Sequence, residues 1–181
     1  MNNPIHWIKY KYWFLFDLPL FIKENKYKKG LELGVKEGRS MYFALKSNKE
    51  LHYTGIDLWE VIEGKAYKNN KANEAKCRKK LKEFEGRHSL IKGDAFDISE
   101  KLEDQSYDFI FYDLQCKHME GFHSSVIKKY LPKIKKGGVL IGCDFRSFRY
   151  DFYALGFKES DFKPCQFKNQ RSQRLEYLHI N

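Results

Sequence analysis

The stretch LELGVKEGRSMYFAL, residues 31 to 45, places Glu32, Gly34, Gly38 and Ser40 between an apolar run and a helix-like segment. An ordinary strand-to-helix connection needs one glycine at most. Two glycines four apart, following an acid, clear backbone away for something held against it and leave the first N–H groups of the next helix free. The spacing is G-x-x-x-G. It is not the G-x-G-x-x-G of dinucleotide sites, and no phosphate-loop lysine-serine pair follows, so NAD and ATP are both disfavoured.

Outward from this turn, short apolar runs alternate with helical patterns. GLELG (30–34) reads as a strand and 38–48 as a helix; LHYTGIDL (51–58) reads as a strand, followed by a basic helix over 65–82. HSLIKGD (88–94), YDFIFYDL (107–114) and GGVLIGCDF (137–145) are three further strands, separated by helices near 96–103 and 119–135. Continuous apolar strands in a β-α rhythm predict a parallel sheet covered on both faces. The tail breaks the rhythm: ALGFKESDFKPCQFK and RLEYLHIN, joined by NQRSQ, read as an antiparallel hairpin. The fold expected is α/β and Rossmann-like, a seven-stranded, mostly parallel sheet with a C-terminal antiparallel hairpin.

In such sheets a ligand lies beyond the carboxyl ends of the strands. Each of the first five strands carries an acid at or near that edge: Glu32, Asp57, Asp94, Asp113 and Asp144. One such acid is ordinary as a helix cap. Five together point to a site. Asp57 stands 25 residues past Glu32, about where an acid ending the second strand grips ribose hydroxyls. Glu32 favours a cationic ligand over a pyrophosphate. A nucleoside carrying positive charge meets both demands.

LELGVKEGRS, GIDLWE, KGDAFD, YDFIFYDL and LPKIKKGGVLIGCDF resemble, in order and spacing, the successive motifs of class I S-adenosylmethionine-dependent methyltransferases. GIDLW and the K-x-G-G-V-L-I-G-x-D ending are similar to a branch that modifies small molecules and surface sugars. The resemblance spans about residues 28 to 145 and implies S-adenosylmethionine as cofactor. It implies that the loop from Glu32 through Gly34 to Gly38 lies against the methionine moiety, with Glu32 near the ammonium. Asp57 would hold the ribose, Leu58 or Trp59 would cover the adenine, and Asp94 with the Ala95 backbone would contact the ring. Asp113 would face the reaction side. Ser40 either joins the loop's site or caps the first turn of its helix. Candidate bases are Asp113, His118 and Asp144, although DLQCKHMEG departs from the branch's usual acid-glycine-acid-histidine segment. Asp113 and Asp144 could also hold a divalent metal, which the lack of a third ligand disfavours.

At 181 residues and 42% hydrophobic, the chain is read as one domain, 1–181, with residues 1–28 forming an aromatic N-terminal helical cap. No apolar run is long enough for a membrane span. Four scattered cysteines without C-x-x-C spacing read as free thiols, hence a cytoplasmic protein. The net charge of +10 invites a nucleic-acid partner. Lys far outnumbers Arg, however, and the lysine helix reads first as a solvated face, with Lys76, Lys79 and Lys80 on it. A small-molecule acceptor is therefore expected, O-methylation is favoured, and oligomeric state is undetermined. The rival readings are an RNA methyltransferase using the lysine helix with Arg146 and Arg149, and a nucleoside-binding protein without chemistry.

Overall fold

The structure, a computed structural model, describes residues 14–60, 70–114, 121–143, 145–165 and 175–180. In chain order these form helix α1 (Phe14–Glu24), strand β1 (Lys29–Leu33), α2 (Arg39–Ser47), β2 (His52–Asp57), α3 (Asn70–Leu81) and β3 (His88–Lys92). There follow α4 (Ala95–Ile98), β4 (Tyr107–Tyr112), α5 (Phe122–Tyr130), β5 (Ile134–Cys143), α6 (Arg149–Ala154), β6 (Lys163–Pro164) and β7 (Leu175–His179). The sheet order is β3-β2-β1-β4-β5-β7-β6. β1 pairs in parallel with both β2 and β4, β4 with β5, and β2 with β3. Only β7 runs against its neighbours. The order reverses beside β1, and the crevice that opens there is where such sheets take their ligands.

Side-chain alternation along the strands builds two cores. Leu31, Leu33, Ile110, Tyr112 and Leu140 pack on one face with Val126, Ile127 and Tyr130 of α5 and Phe152 of α6. Tyr53, Phe109, Phe111, Val139 and Ile141 pack on the other with Leu18 and Ile22 of α1, Met41 and Ala44 of α2, and Cys77 and Leu81 of α3. Burying each large apolar side chain stabilises the fold by about 1.5–3 kcal/mol. A sheet covered on both faces needs apolar residues at every strand position. Glu32, between Leu31 and Leu33, is the exception at the sheet's centre.

Two boundaries differ from the sequence reading. The helix expected over 119–135 ends at Tyr130, and a 3-10 turn over Leu131–Lys133 leads directly into β5 at Ile134. Pro132 cannot continue an α-helix, which explains the early stop. The hairpin's first strand, expected over 154–168, shrinks to Lys163–Pro164. Phe157 and Phe162 instead fold back on Phe152 of α6, at 6.0 and 5.1 Å between ring centroids. Gly156, at φ +89°, makes that reversal possible.

Candidate active site

The turn after β1 is held by its neighbours on both sides. Gly34 donates its N–H to Ile56 O at 2.9 Å, and Asp113 donates its own to Leu33 O at 2.9 Å. Gly34 has φ +91°, and a Cβ there would lie 2.6 Å from the carbonyl oxygen of Asp113. Gly38 has φ +68°, and a Cβ there would meet Cys77 Sγ at 2.7 Å. Both glycines are thus required by the protein's own packing. Any close approach they give a ligand comes in addition.

Asp57 closes the loop from the second strand. Its Oδ2 accepts from Lys36 N at 2.7 Å and its Oδ1 from Trp59 N at 2.8 Å. Two lone pairs of the carboxylate remain for a diol. Trp59 sits at φ +42°, a left-handed conformation that costs a bulky residue roughly 1–2 kcal/mol. Its indole Nε1 donates to Lys36 O at 2.8 Å, and the ring is 1% exposed. The structure therefore gives Trp59 a different place from the rim position expected of an adenine cover. It clamps the glycine loop from below. Leu58, half-buried, is the member of the pair with surface left at the edge.

Glu32 and Ser40 are also arranged differently from the simplest expectation. Ser40 does not cap α2, whose N-cap is Gly38 with no side-chain bond. Its hydroxyl donates instead to Glu32 Oε1. Glu32 is fully buried, beneath the edge and not on it, and its Oε2 has no hydrogen-bond partner. Tyr53 Oη, close enough to interact with that charge, also lacks a partner. Burial, with smaller contributions from Asp113 and Asp57, pushes the Glu32 carboxyl up to about 8. A buried carboxyl with one oxygen unpartnered, at the head of the glycine loop, suits a ligand that brings a cation.

Asp94 caps α4, its Oδ1 accepting from Phe96 N at 2.8 Å, and remains exposed. Ala95 opens that helix, and its carbonyl accepts from Tyr130 Oη at 2.6 Å. Asp113, half-buried, stands one residue past β4 between the ends of β1 and β5. Asp57, Asp94 and Asp113 with the glycine loop therefore share the carboxyl edge of β2, β3, β4 and β1. His118 and Asp144 lie outside the described residues. Among the described residues no three His, Cys, Asp or Glu side chains form a metal-holding group.

A family described as a methyltransferase domain matches residues 31–145, the span from the glycine turn to the end of β5. The chain belongs to this family. It is a class I, S-adenosylmethionine-dependent methyltransferase, and the residues just described fit that donor: a carboxylate with free lone pairs at Asp57, an exposed strand-end acid at Asp94, and a buried acid with one unpartnered oxygen at Glu32. Solved structures share the fold. A candidate caffeoyl-CoA O-methyltransferase from Staphylococcus aureus is 21% identical, with a TM-score of 0.64 over 92% of this chain and 82% of that one. A candidate O-methyltransferase from Klebsiella pneumoniae is 16% identical, with a TM-score of 0.65 over 94% and 80%. An S-adenosylhomocysteine-bound methyltransferase from Podospora anserina is 15% identical, with a TM-score of 0.64 over 93% and 76%. No curated protein matches the chain in sequence.

On the other side of Asp113 the methyltransferase builds an aromatic wall that the sequence reading missed. Tyr112 Oη and His123 Nδ1 share a hydrogen bond of 2.7 Å. The His123 ring stacks on Phe148 at 4.0 Å and 14°. Asp151 of α6 accepts from Ser124 N at 2.9 Å, tying the start of α5 to the segment after β5. A signal did exist: His123, Val126, Ile127 and Tyr130 follow helical spacing, and all four are buried. Beyond this wall Arg149 Nη2 reaches Glu176 Oε1 and Oε2 at 3.0 and 3.1 Å, and both residues are buried. Arg149, offered in the RNA reading as a surface cation, is thus an internal pillar.

The lysine face of α3 is likewise only partly solvated. Lys76 Nζ lies 3.3 Å from Glu37 Oε1, and half-buried Lys80 donates to Glu37 O at 2.8 Å. Burial, then the neighbouring Arg39, lowers the Lys80 ammonium from its usual range. These two lysines fasten α3 to the glycine loop. Lys79 alone of the three is plain surface.

Proposed function

We propose that this methyltransferase transfers the donor's methyl group to an oxygen of a small molecule or sugar. The observation that carries the reading is Asp113. It stands at the switch of strand order, with the donor-side groups Gly34 and Asp57 on one side and the Tyr112–His123–Phe148 wall on the other. When bound, S-adenosylmethionine supplies an electrophilic methyl on a sulfonium. The chain's own residues do the rest. Asp57 accepts from the ribose hydroxyls while its backbone bonds keep the loop in place. Leu58 covers the adenine, and Asp94 accepts from the exocyclic amine with the oxygen not used in capping. Glu32 faces the ammonium through the loop.

Displacement at a methyl group requires alignment and exclusion of water more than covalent help. An acceptor hydroxyl must also lose its proton. Asp113 takes that role in this reading, with His118 and Asp144, outside the described residues, as further candidate bases. Phe148, the half-buried ring that stacks on buried His123, supports a compact organic acceptor, because it is the member of the wall with apolar surface left. The test is turnover to S-adenosylhomocysteine across a panel of hydroxylated small molecules and sugars, with amines and RNA in parallel. Turnover on hydroxylated acceptors is expected. Product formed only with RNA, and lost steeply with added salt, would replace this reading with the nucleic-acid one.

A further inference from the structure

Glu32 is a carboxyl group at the centre of the sheet with no ion-pair partner among the described residues. Among the described residues the groups that act on it are neutral or negative, although α3 also carries Arg78 and Lys80 beside Cys77. α2 offers the Ser40 hydroxyl, which donates to Oε1, and β2 offers the Tyr53 phenol and, at its end, Asp57. α3 offers the Cys77 thiol, itself pushed up to about 12, chiefly by burial. Asp113 follows β4. A carboxylate in that setting has only the Ser40 and Tyr53 hydroxyls to support a full negative charge, and Asp113 and Asp57 oppose it. A carboxylic acid has no such difficulty.

We infer that Glu32 carries a proton in the empty protein and exchanges it for the ammonium of the donor's amino-acid end, so that the site selects ligands that bring a cation. The step balances simply. The Glu32 O–H bond breaks, the proton leaves to solvent, and the ligand's ammonium, already charged at neutral pH, compensates the carboxylate that remains. The direction agrees with burial raising Glu32 to about 8. Below that pH the empty site is largely protonated, so binding releases a proton. Above it the site is already ionised, and binding releases none. Affinity for an ammonium-bearing ligand therefore falls as pH drops, while affinity for a neutral nucleoside does not. The inference rests on the reading of Glu32 as the ammonium's neighbour.

The experiment is titration calorimetry of the full chain in pairs of buffers with different ionisation enthalpies. The probes are S-adenosylhomocysteine and 5′-methylthioadenosine, a neutral nucleoside thioether that lacks the amino-acid end. S-adenosylhomocysteine, whose amino group is fully charged at pH 7, should release about one proton there, given an acid near 8. Methylthioadenosine should release none. Glu32→Gln should abolish the release and weaken S-adenosylhomocysteine by about tenfold or more, the scale of a lost charged contact. A measurement without ligand or variant folding risk supports this. The parent's melting temperature should fall as pH rises from about 5 to 8, because the folded protein holds a proton that the unfolded chain has already lost. Tight S-adenosylhomocysteine binding with no buffer dependence would overturn the exchange while leaving the donor site intact. The same release with methylthioadenosine would assign it to loop closure and overturn the ammonium role. Failure of S-adenosylhomocysteine to bind at all would overturn the donor reading and this inference with it.

Discussion

The two halves of the sheet edge are built by different means. On the donor side, around β1 and β2, the parts are close in sequence and held mostly by backbone. Asp57 bonds the N–H groups of Lys36 and Trp59, and the indole of Trp59 bonds the Lys36 carbonyl. On the acceptor side, around β4, β5 and β7, the parts are side chains from distant segments. Arg149 reaches Glu176, 27 residues on, and Phe148 stacks on His123. Backbone bonds within one turn fix a loop whatever side chains surround it, whereas side-chain packing can change without disturbing the strands. The donor half should therefore be fragile in binding and the acceptor half in stability and turnover.

The largest expected effect tests the acceptor half as a structural unit. Arg149→Met should lower stability by about 3 kcal/mol, because it leaves buried Glu176 only the exposed Arg146, at 3.5 Å. Adding Glu176→Leu should recover much of that loss, since two apolar side chains need no partner. Thermal or denaturant unfolding reads both. A single-variant cost below about 1 kcal/mol would show that the pair is not a pillar.

Next in size is the chemistry at the boundary between the halves. Asp113→Asn, and separately Asp144→Asn, should reduce turnover by roughly 10²-fold or more while leaving S-adenosylhomocysteine affinity intact. Asp113→Asn should be the more damaging, as its strand neighbours β1 and the glycine turn. Repeating the assay with magnesium and then with a chelator separates direct proton transfer from metal assistance. Full turnover in both variants would make these acids caps and ties only.

Asp57→Ala should weaken S-adenosylhomocysteine by roughly 2–3 kcal/mol, through the lost charged bonds to the ribose. Melting should change less than for Arg149→Met, because the freed N–H of Lys36 belongs to an exposed residue and that of Trp59 is only partly buried. Unchanged affinity in calorimetry would break the contrast between the halves at its donor end. The smallest effects belong to α3. Lys79→Gln should change stability by less than about 0.5 kcal/mol, as exposed charges do. Lys80→Gln should cost about 1 kcal/mol through its bond to Glu37 O. Equal costs for the two would mean that α3 does not brace the loop.

The fold, and the strand edge shared by Asp57, Asp94 and Asp113, were legible in the sequence because their causes are local. Period-two and period-3.6 patterns decide strands and helices, and a glycine with positive φ marks its own turn. Strand-end acids announce an edge before any pairing is known. Three features were not legible, for one physical reason: each depends on what lies across space. Trp59 reads as a rim residue until its indole is seen bonded to Lys36 O. Ser40 reads equally as a cap or as part of the loop's site until its hydroxyl is seen bonded to Glu32. Arg149 reads as a surface cation until β7 brings Glu176 to it. Composition and spacing name the groups that a chain carries. Only tertiary packing decides which of them lose water, and loss of water is what turns Glu32 from an ordinary carboxylate into an acid that holds its proton near neutral pH.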